Sequence, residues 1–336
     1  MGVDGGAGDD RPTPAAPTSP TPSRRSFLGA GLGASAALLG GCGLRLDLPR
    51  LPPPVPTRMR VPDEDLVVAF VQDLRALRAR GRRLAASERR RPAVADALRI
   101  LGRQDTVLTG RLTNQGVPTT EIGGAATATP SGNAATGQAA ARPSGPQDSA
   151  GFAKALTDLP PTRWDSLATA SAANREVLLS ATSARLAAAV RLGRTVRIQR
   201  GSQQLHPSLV EHTAALVYGF EVVAAQSVGA TRRTAVDTLS ELRRILEELG
   251  ADLPDSAPPP VGWALPYPVT TPGAAQRLAK DLLTRAVAAT TTLVSAPSPA
   301  GDLATVGTWS ARVQALGPAH GIPLAAFPGT SGTRPT

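Results

Sequence analysis

The sequence predicts an almost entirely α-helical protein, and three observations support this. Aromatic residues make up only 3% of the 336 residues, so the apolar 41% consists mainly of alanine, leucine and valine. Apolar residues recur at spacings of three and four along several long stretches, which is the period of a helix. Long alternating stretches rich in aromatic and β-branched residues, typical of strands, do not occur in the sequence. We therefore expect helices packed closely through small side chains.

Residues 23–42, SRRSFLGAGLGASAALLGGC, resemble a targeting signal, and we do not expect them to form part of the folded protein. Arg24 and Arg25 stand just before Phe27 and Leu28, which resembles the twin-arginine export motif. The uncharged stretch that follows contains many glycines, whereas a membrane-spanning helix needs about 20 strongly apolar residues. The pattern is instead typical of the apolar region of a signal peptide.

The end of this segment, Leu39, Gly40, Gly41 and Cys42, resembles a bacterial lipobox, in which the cysteine thiol receives a lipid. Cys42 is the only cysteine, which excludes a disulfide framework within one chain. The alternative, a buried structural cysteine, fits poorly with so many neighbouring glycines. We expect residues 1–41 to be removed as a twin-arginine lipoprotein signal peptide. The mature chain is then predicted to be lipid-anchored at the outer face of the cytoplasmic membrane.

The net charge of +10 comes almost entirely from arginine, because Lys154 and Lys280 are the only lysines among the 36 basic residues. Arginine matches the geometry of phosphate, which would allow nucleic-acid binding. A GC-rich coding sequence, however, favours the codons of arginine, alanine, glycine and proline together, which explains the arginine content without a function. An exported chain also meets no cellular nucleic acid. The sequence therefore predicts no nucleic-acid partner. The expected partners are the membrane, through lipidated Cys42, and an envelope protein, a cell-wall component or a lipid.

Residues 42–61 form a Pro-rich spacer, and residues 62–112 are predicted to form a basic helical hairpin divided at Pro92. This hairpin region, from Arg58 to Arg111, contains 13 arginines and seven acidic residues, a difference of +6. Its arginine cluster either contacts anionic lipid head groups or forms a solvated face, which we favour. The cluster consists of Arg78, Arg80, Arg82, Arg83, Arg89, Arg90 and Arg91.

Two further regions separate the hairpin from the C-terminal part. Residues 113–151 are dominated by Gly, Ala, Thr, Ser and Pro without a helical period, and they predict a disordered linker. Residues 152–200 predict one long helix, from about Pro161 or Asp165 to Leu192, that packs on the C-terminal helices.

Residues 205–329 predict a four-helix bundle of two antiparallel hairpins. The first hairpin extends from Pro207 to Gly250 with a short join at Gly229, and the second from Pro272 to Leu316. A long Pro-rich crossover, Ala251 to Thr271, joins them and is expected to lie across the bundle. This is the connectivity of ferritin-like bundles. The first helix carries a stripe formed by Leu205, Leu209, His212, Leu216, Phe220 and Val223, and the second carries Val236, Leu239, Leu242, Leu246 and Leu249.

Three stretches within these residues suggest a family. VEHTAALVYGFEVVAAQ, WALPYPVTTPGAAQRLAKDL and IPLAAFPG resemble a ferritin-like domain family of unknown function found in exported proteins of high-GC Gram-positive bacteria. The likeness covers Leu205 to Gly329, and its most specific part is the crossover that ends in Leu-Pro-Tyr-Pro-Val. The resemblance implies a four-helix bundle behind an export signal and no settled activity.

A di-metal centre in such a bundle uses Glu-x-x-His pairs, and none of the three histidines, His206, His212 and His320, follows a glutamate by three residues. Two hypotheses remain open. A remnant iron or manganese site would combine His212 with nearby acids, or His212 packs in the core while the acids lie on solvated faces. We favour the second and expect no cofactor. The candidate ligands are His212, Glu211, Glu221, Asp237 and Glu241.

No local motif indicates a reaction, since the sequence contains neither a G-x-S-x-G nucleophile turn nor a G-x-x-x-x-G-K phosphate loop. We expect a lipid-anchored envelope protein that acts as a non-catalytic binding or structural module, with no catalytic residues. The alternative is a divergent ferritin-like metal-binding protein or oxidase. The candidate binding surface consists of Tyr218, Trp263 and Tyr267, although we favour the alternative, in which these aromatic residues form a lid on the core.

Overall fold

The computed structural model describes residues 58–123, 148–202, 205–250, 262–294 and 297–330. Throughout these residues all regular secondary structure is helical, which confirms the predicted all-α class. The predicted signal peptide, Cys42 and residues 42–57 of the spacer lie outside the described residues, as do residues 124–147 of the linker and residues 251–261 of the crossover.

Eleven α-helices and one 3₁₀ helix are found in the described ranges. They are α1 (Glu64–Arg82), α2 (Ala86–Arg89), α3 (Pro92–Asn114), α4 (Thr119–Gly123), α5 (Ser149–Thr157), α6 (Arg163–Thr169), α7 (Ala172–Arg191), α8 (His206–Gln226), α9 (Gly229–Gly250), α10 (Pro272–Thr292), α11 (Ala300–Leu316) and the 3₁₀ helix Gly317–His320. Among these helices, α5 and α10 begin with a side-chain N-cap. Asp148 accepts a hydrogen bond from the Gly151 N–H, Thr271 accepts one from the Ala274 N–H, and Pro272 occupies the first turn of α10.

Two helices, α7 and α11, form the centre of the molecule and pack against each other. Residues 178–189 of α7 and 303–315 of α11 are buried on every side, and most of them are Ala, Gly, Ser or Thr. Such small residues let helix backbones approach closely. Several of their hydroxyl groups donate to carbonyl groups one turn earlier in the same helix, as in the Thr182 bond to the Leu178 carbonyl, 2.7 Å, and the Thr308 bond to the Ala304 carbonyl, 2.7 Å.

Helices α8 to α11 contact one another in a closed sequence: α8 packs on α9 and α10, and α11 packs on α10 and, less extensively, on α9. The two-residue join between α8 and α9 makes this pair antiparallel. Trp309 of α11 is fully buried, and its indole N–H donates to Thr213 of α8 at 3.0 Å. Arg312 of α11 forms ion pairs with Glu241 at 2.7 Å and Glu248 at 2.6 Å, both on α9.

The N-terminal hairpin contacts the centre of the molecule through α3, which packs on α7. Helix α7 in turn packs on α11. Asp105 of α3 accepts hydrogen bonds from Arg75, at 2.9 Å, and from Arg78, both on α1. Buried Arg185 of α7 donates to Asp73 of α1 and to three carbonyl groups at the end of α5. These carbonyls lie at the C-terminal end of α5, where backbone donors become scarce, so the guanidinium closes this end of the helix.

Two predicted boundaries are wrong. The linker does not begin at residue 113, because α3 continues to Asn114 and α4 follows, with Val117 and Ile122 buried. The single long helix after residue 161 is divided into α6 and α7 around Ser171. The carboxylate of Asp63 accepts hydrogen bonds from the Ser171 N–H at 2.8 Å and the Asn174 amide at 2.9 Å, which fixes this break against the start of α1.

Candidate ligand-binding site

An apolar cavity of about 230 Å³ lies between α10, α11 and the chain that follows the 3₁₀ helix. Only two of its lining residues, Thr284 and Gln314, have polar side chains. The lining consists of Leu283, Thr284, Val287, Ala288, Val313, Gln314, Gly317, Ile322, Pro323, Ala325, Phe327, Pro328 and Gly329. A concave, mostly apolar site with few polar groups is typical of small-ligand binding.

One wall of this cavity is the C-terminal segment 322–330, which has no regular secondary structure. The chain reverses at Gly321, whose φ of 76° is in the left-handed region that glycine tolerates. Side chains from α3, α7, α10 and α11 then donate to carbonyl groups of the segment, and this holds the wall in place. These hydrogen bonds run from Arg99 to the Leu324 carbonyl at 3.1 Å, from Gln314 to Ala325 at 3.3 Å, from Gln104 to Ala326 at 2.8 Å, from Ser180 to Pro328 at 2.7 Å and from Thr291 to Gly329 at 3.2 Å.

Gln314 is the polar residue deepest in this site, and only 5% of it is exposed. Its Nε2 donates to the Ala325 carbonyl, but its Oε1 is buried and receives no hydrogen bond. A buried acceptor without a donor costs about 1–3 kcal/mol. Gln314 therefore lines the cavity and bonds the C-terminal segment to α11, while its Oε1 lies below the accessible surface.

A second cavity, of about 300 Å³ and polar, lies beside the first. Its polar side chains are Thr231 and Thr234 of α9, Gln276 and Lys280 of α10, and His320. Nε2 of His320 lies 2.9 Å from Thr238 Oγ1, and the His320 ring meets Phe220 edge-on at 5.3 Å between ring centroids. Burial lowers the pKa of His320, because the charged imidazolium loses its hydration there.

The predicted aromatic surface is only partly brought together. Tyr218 and Trp263 are half-buried and in contact, with ring centroids 5.7 Å apart. Tyr267 interacts with α10 instead: its O–H donates to Asp281 at 2.8 Å, and the Arg277 guanidinium lies 4.5 Å above its ring. The residues from 262 onward thus lie across the helices, as expected of the crossover, with Leu265 and Tyr267 packed on the core.

The predicted metal ligands do not converge. His212 is exposed, and its Nδ1 lies 2.7 Å from the Ser208 carbonyl oxygen one turn earlier. Glu211, Glu221 and Asp237 are also exposed. Glu221 accepts from Arg243 at 2.8 Å, whereas half-buried Glu241 pairs with Arg312 and with Arg244, the latter at 2.7 Å. In the described part of the chain, no group of three or more His, Cys, Asp or Glu residues is arranged to hold a metal ion.

The expectation that His212 lies in the apolar stripe of α8 is therefore wrong. The buried face of α8 contains Leu209, Thr213, Leu216, Phe220 and Val223. Residues three and four positions apart both fall on one face of a helix, so the spacing alone allows either residue 212 or residue 213. Tertiary packing selects Thr213, which meets Trp309. The same one-residue shift occurs in α9, where Ala235 is buried and Val236 is 44% exposed.

The arginine cluster of the N-terminal hairpin divides into two groups. Arg78, Arg89 and Arg91 bind within the protein, for example Arg89 to the Leu84 carbonyl at 2.6 Å. The remaining arginines, Arg80, Arg82, Arg83 and Arg90, show no side-chain partner among the described contacts. Arg80 and Arg83 line a third cavity beside Asp73, Asp158 and Arg185, in which both signs of charge occur.

No family model matches this chain, and neither the curated proteins nor the solved structures include a match to it. None of the described helices is both long enough and apolar enough to cross a membrane.

The sequence did not identify the residues that line the apolar cavity as site residues. The stretch IPLAAFPG contributes six lining residues, but only its likeness to a family drew attention to it. No sequence pattern pointed to Gln314 as a site residue, because a single glutamine near the end of a helix is common. The cavity results from the packing of three successive elements against one another, and sequence periodicity describes only one element at a time.

Proposed function

We propose that this protein is an exported, lipid-anchored, non-catalytic binding protein that holds a small apolar ligand in the cavity between α10, α11 and the C-terminal segment. The export and anchoring parts of the proposal rest on the sequence from Arg24 to Cys42. The ligand-binding part rests on the apolar cavity. Since a location outside the cytoplasm exposes the protein to lipids and cell-wall components, both parts favour the same ligand class.

The ferritin-like interpretation of α8 to α11 belongs to this proposal. It is supported by the closed sequence of contacts among the four helices and by the long crossover between the two pairs. The interior between them is filled by side chains such as Trp309, Phe220 and Leu242. A bundle of this kind serves as a scaffold, and its function then depends on the site that it carries.

The single observation that carries the proposal is the apolar cavity itself, in which only two lining residues, Thr284 and Gln314, have polar side chains. If each water-sized group of a ligand takes about 30 Å³, the cavity of 230 Å³ accommodates a chain of roughly eight non-hydrogen atoms. The walls favour hydrocarbon, since burying apolar surface contributes about 25 cal/mol per Å².

The test is to titrate 1-octanol into the full chain by isothermal calorimetry. We expect saturable binding with one site and a rise in melting temperature as the alcohol concentration increases. Val287→Trp fills the cavity from α10 and should weaken binding at least tenfold. The matched control is Val236→Trp, on the exposed face of α9, which should bind as the wild type does.

Absence of saturable binding to the wild type, or equal binding by Val287→Trp, contradicts the proposal. Circular dichroism melts of both tryptophan variants establish that they fold. If Val287→Trp does not fold, Val287→Phe serves instead, because it fills less of the cavity and should still weaken octanol binding.

A further inference from the structure

The apolar cavity and the polar cavity are lined by successive turns of α10. Lys280 lines the polar cavity and Thr284 lines the apolar one, and residues four apart are neighbours on a helix surface, about 5–6 Å between their Cβ atoms. The chain after α11 contributes to both walls in the same way, with His320 on the polar side and Ile322 on the apolar side.

The ammonium group of Lys280 stands at the boundary between them. Its Nζ lies over Gly321, the residue between His320 and Ile322, at 3.9 Å from the position that a Cβ would occupy. Lys280 makes no ion pair with any residue in the described ranges. The adjacent acid, Asp281, accepts a hydrogen bond from Tyr267 and is about 100° around the helix from Lys280.

The side chains around Lys280 provide donors and no carboxylate. Thr231, Thr234 and Gln276 line the same cavity, and neither aspartate nor glutamate is among its lining residues. A lysine ammonium is a compact cation with three donors, which suits an oxyanion at the end of a flexible molecule. This surface therefore provides an uncompensated positive charge beside an apolar cavity of limited length.

We infer that the ligand is a single-chain anionic amphiphile, whose hydrocarbon chain occupies the apolar cavity and whose carboxylate or phosphate group binds Lys280. This inference rests on the proposed function, because it assigns a charge to the ligand of the same cavity. A single chain fits the volume, and an anionic head group matches the only fixed cation among the lining residues of both cavities.

The experiment compares octanoate, octyl phosphate and 1-octanol on the full chain by calorimetry, in low salt and below micelle-forming concentrations. Lys280→Gln should weaken octanoate and octyl phosphate binding about tenfold, as expected for a charge-assisted hydrogen bond, and leave octanol binding unchanged. The control is Lys154→Gln, which removes the other lysine, exposed on α5, and should change none of the three affinities.

The outcomes separate this inference from the proposal on which it rests. If octanol binds and Lys280→Gln leaves octanoate and octyl phosphate unchanged, the anionic head group is wrong and the apolar site stands. If none of the probes binds, the proposed function itself is wrong. A Lys280-dependent preference for octyl phosphate supports a phosphate-bearing lipid, and a preference for octanoate supports a free acyl acid.

Discussion

His212 and His320 show how strongly the surroundings decide what a residue does. His212 looked like part of an apolar stripe but is exposed, whereas His320, at the end of the 3₁₀ helix, is packed on Phe220 and bound to Thr238. The two side chains have the same intrinsic chemistry. Burial lowers the pKa of His320 below its ordinary value, because the charged ring loses hydration there.

This difference predicts that His320 makes stability depend on pH. Because the pKa of His320 is lowered on folding, the unfolded chain takes up a proton more readily, and stability falls as pH drops below about 6.5. The slope for one proton cannot exceed about 1.4 kcal/mol per pH unit. Urea unfolding at pH 7.5 and 5.5 should show a smaller loss for His320→Gln than for the wild type.

The control for this measurement is His212→Gln, which replaces the exposed histidine. Between pH 7.5 and pH 5.5 this variant should lose as much stability as the wild type loses. An unchanged pH dependence in His320→Gln would show that other groups titrate in this range. Gln can still hydrogen-bond Thr238, so the comparison separates the charge from the contact.

At the scale of elements, α11 is a helix that other helices surround, and its small residues set how closely they approach. A Cβ on Gly307 would lie 2.9 Å from the ring of Trp164 on α6 and 3.2 Å from Leu179 on α7. Gly110 of α3 is different, because an added Cβ there meets nothing within 4 Å. The same residue type is thus required by packing in one helix and tolerated in another.

We therefore predict opposite effects for the same substitution in two helices. Gly110→Ala should stabilise the protein by about 0.5–1 kcal/mol, because alanine loses less backbone entropy in a helix interior. Gly307→Ala should destabilise it by about 1–3 kcal/mol, the usual cost of overpacking. Denaturant unfolding of both variants measures the difference, and a gain in stability for Gly307→Ala would show that α6 and α7 can move aside.

At the scale of the whole molecule, the C-terminal segment 322–330 joins parts of the protein that are far apart in the chain. It receives hydrogen bonds from the N-terminal hairpin through Gln104, from central α7 through Ser180 and from α10 through Thr291. The same segment forms one wall of the candidate site. The site therefore depends on the assembly of α3, α7, α10 and α11.

The predicted lipid anchor gives a test at this scale. In a bacterium that exports the full chain, Cys42→Ala should move the protein from the membrane fraction to the soluble fraction or the medium, because the lipid acceptor is lost. Replacing Arg24 and Arg25 together by lysine should instead retain the protein in the cytoplasm. Immunoblots of the fractions decide, and Cys42→Ala protein that stays in the membrane fraction would rule out anchoring through this thiol.

Much of the fold could be predicted from the sequence, and the candidate site could not. The periodicity of apolar residues predicted α8 to α11 to within a few residues. The helical period is a pattern of residues only three and four positions apart, so the local sequence contains it. The division between α6 and α7 was missed because it depends on Asp63, which is more than 100 positions away from Ser171 and Asn174. Gln314 and Lys280 were missed as site residues because their places in the two cavities depend on how separate elements pack together.

The sequence by itself determined the all-helical class, because small and aliphatic residues at helical spacing favour no other arrangement. It also supports the export and lipidation motifs as a prediction, since such signals are read as linear sequence. Only the tertiary structure decided which of two adjacent residues faces inward, as with His212 and Thr213, and where the cavity beside Gln314 and Lys280 forms. Helix rotation and the space between helices depend on contacts between distant residues, and no local pattern contains them.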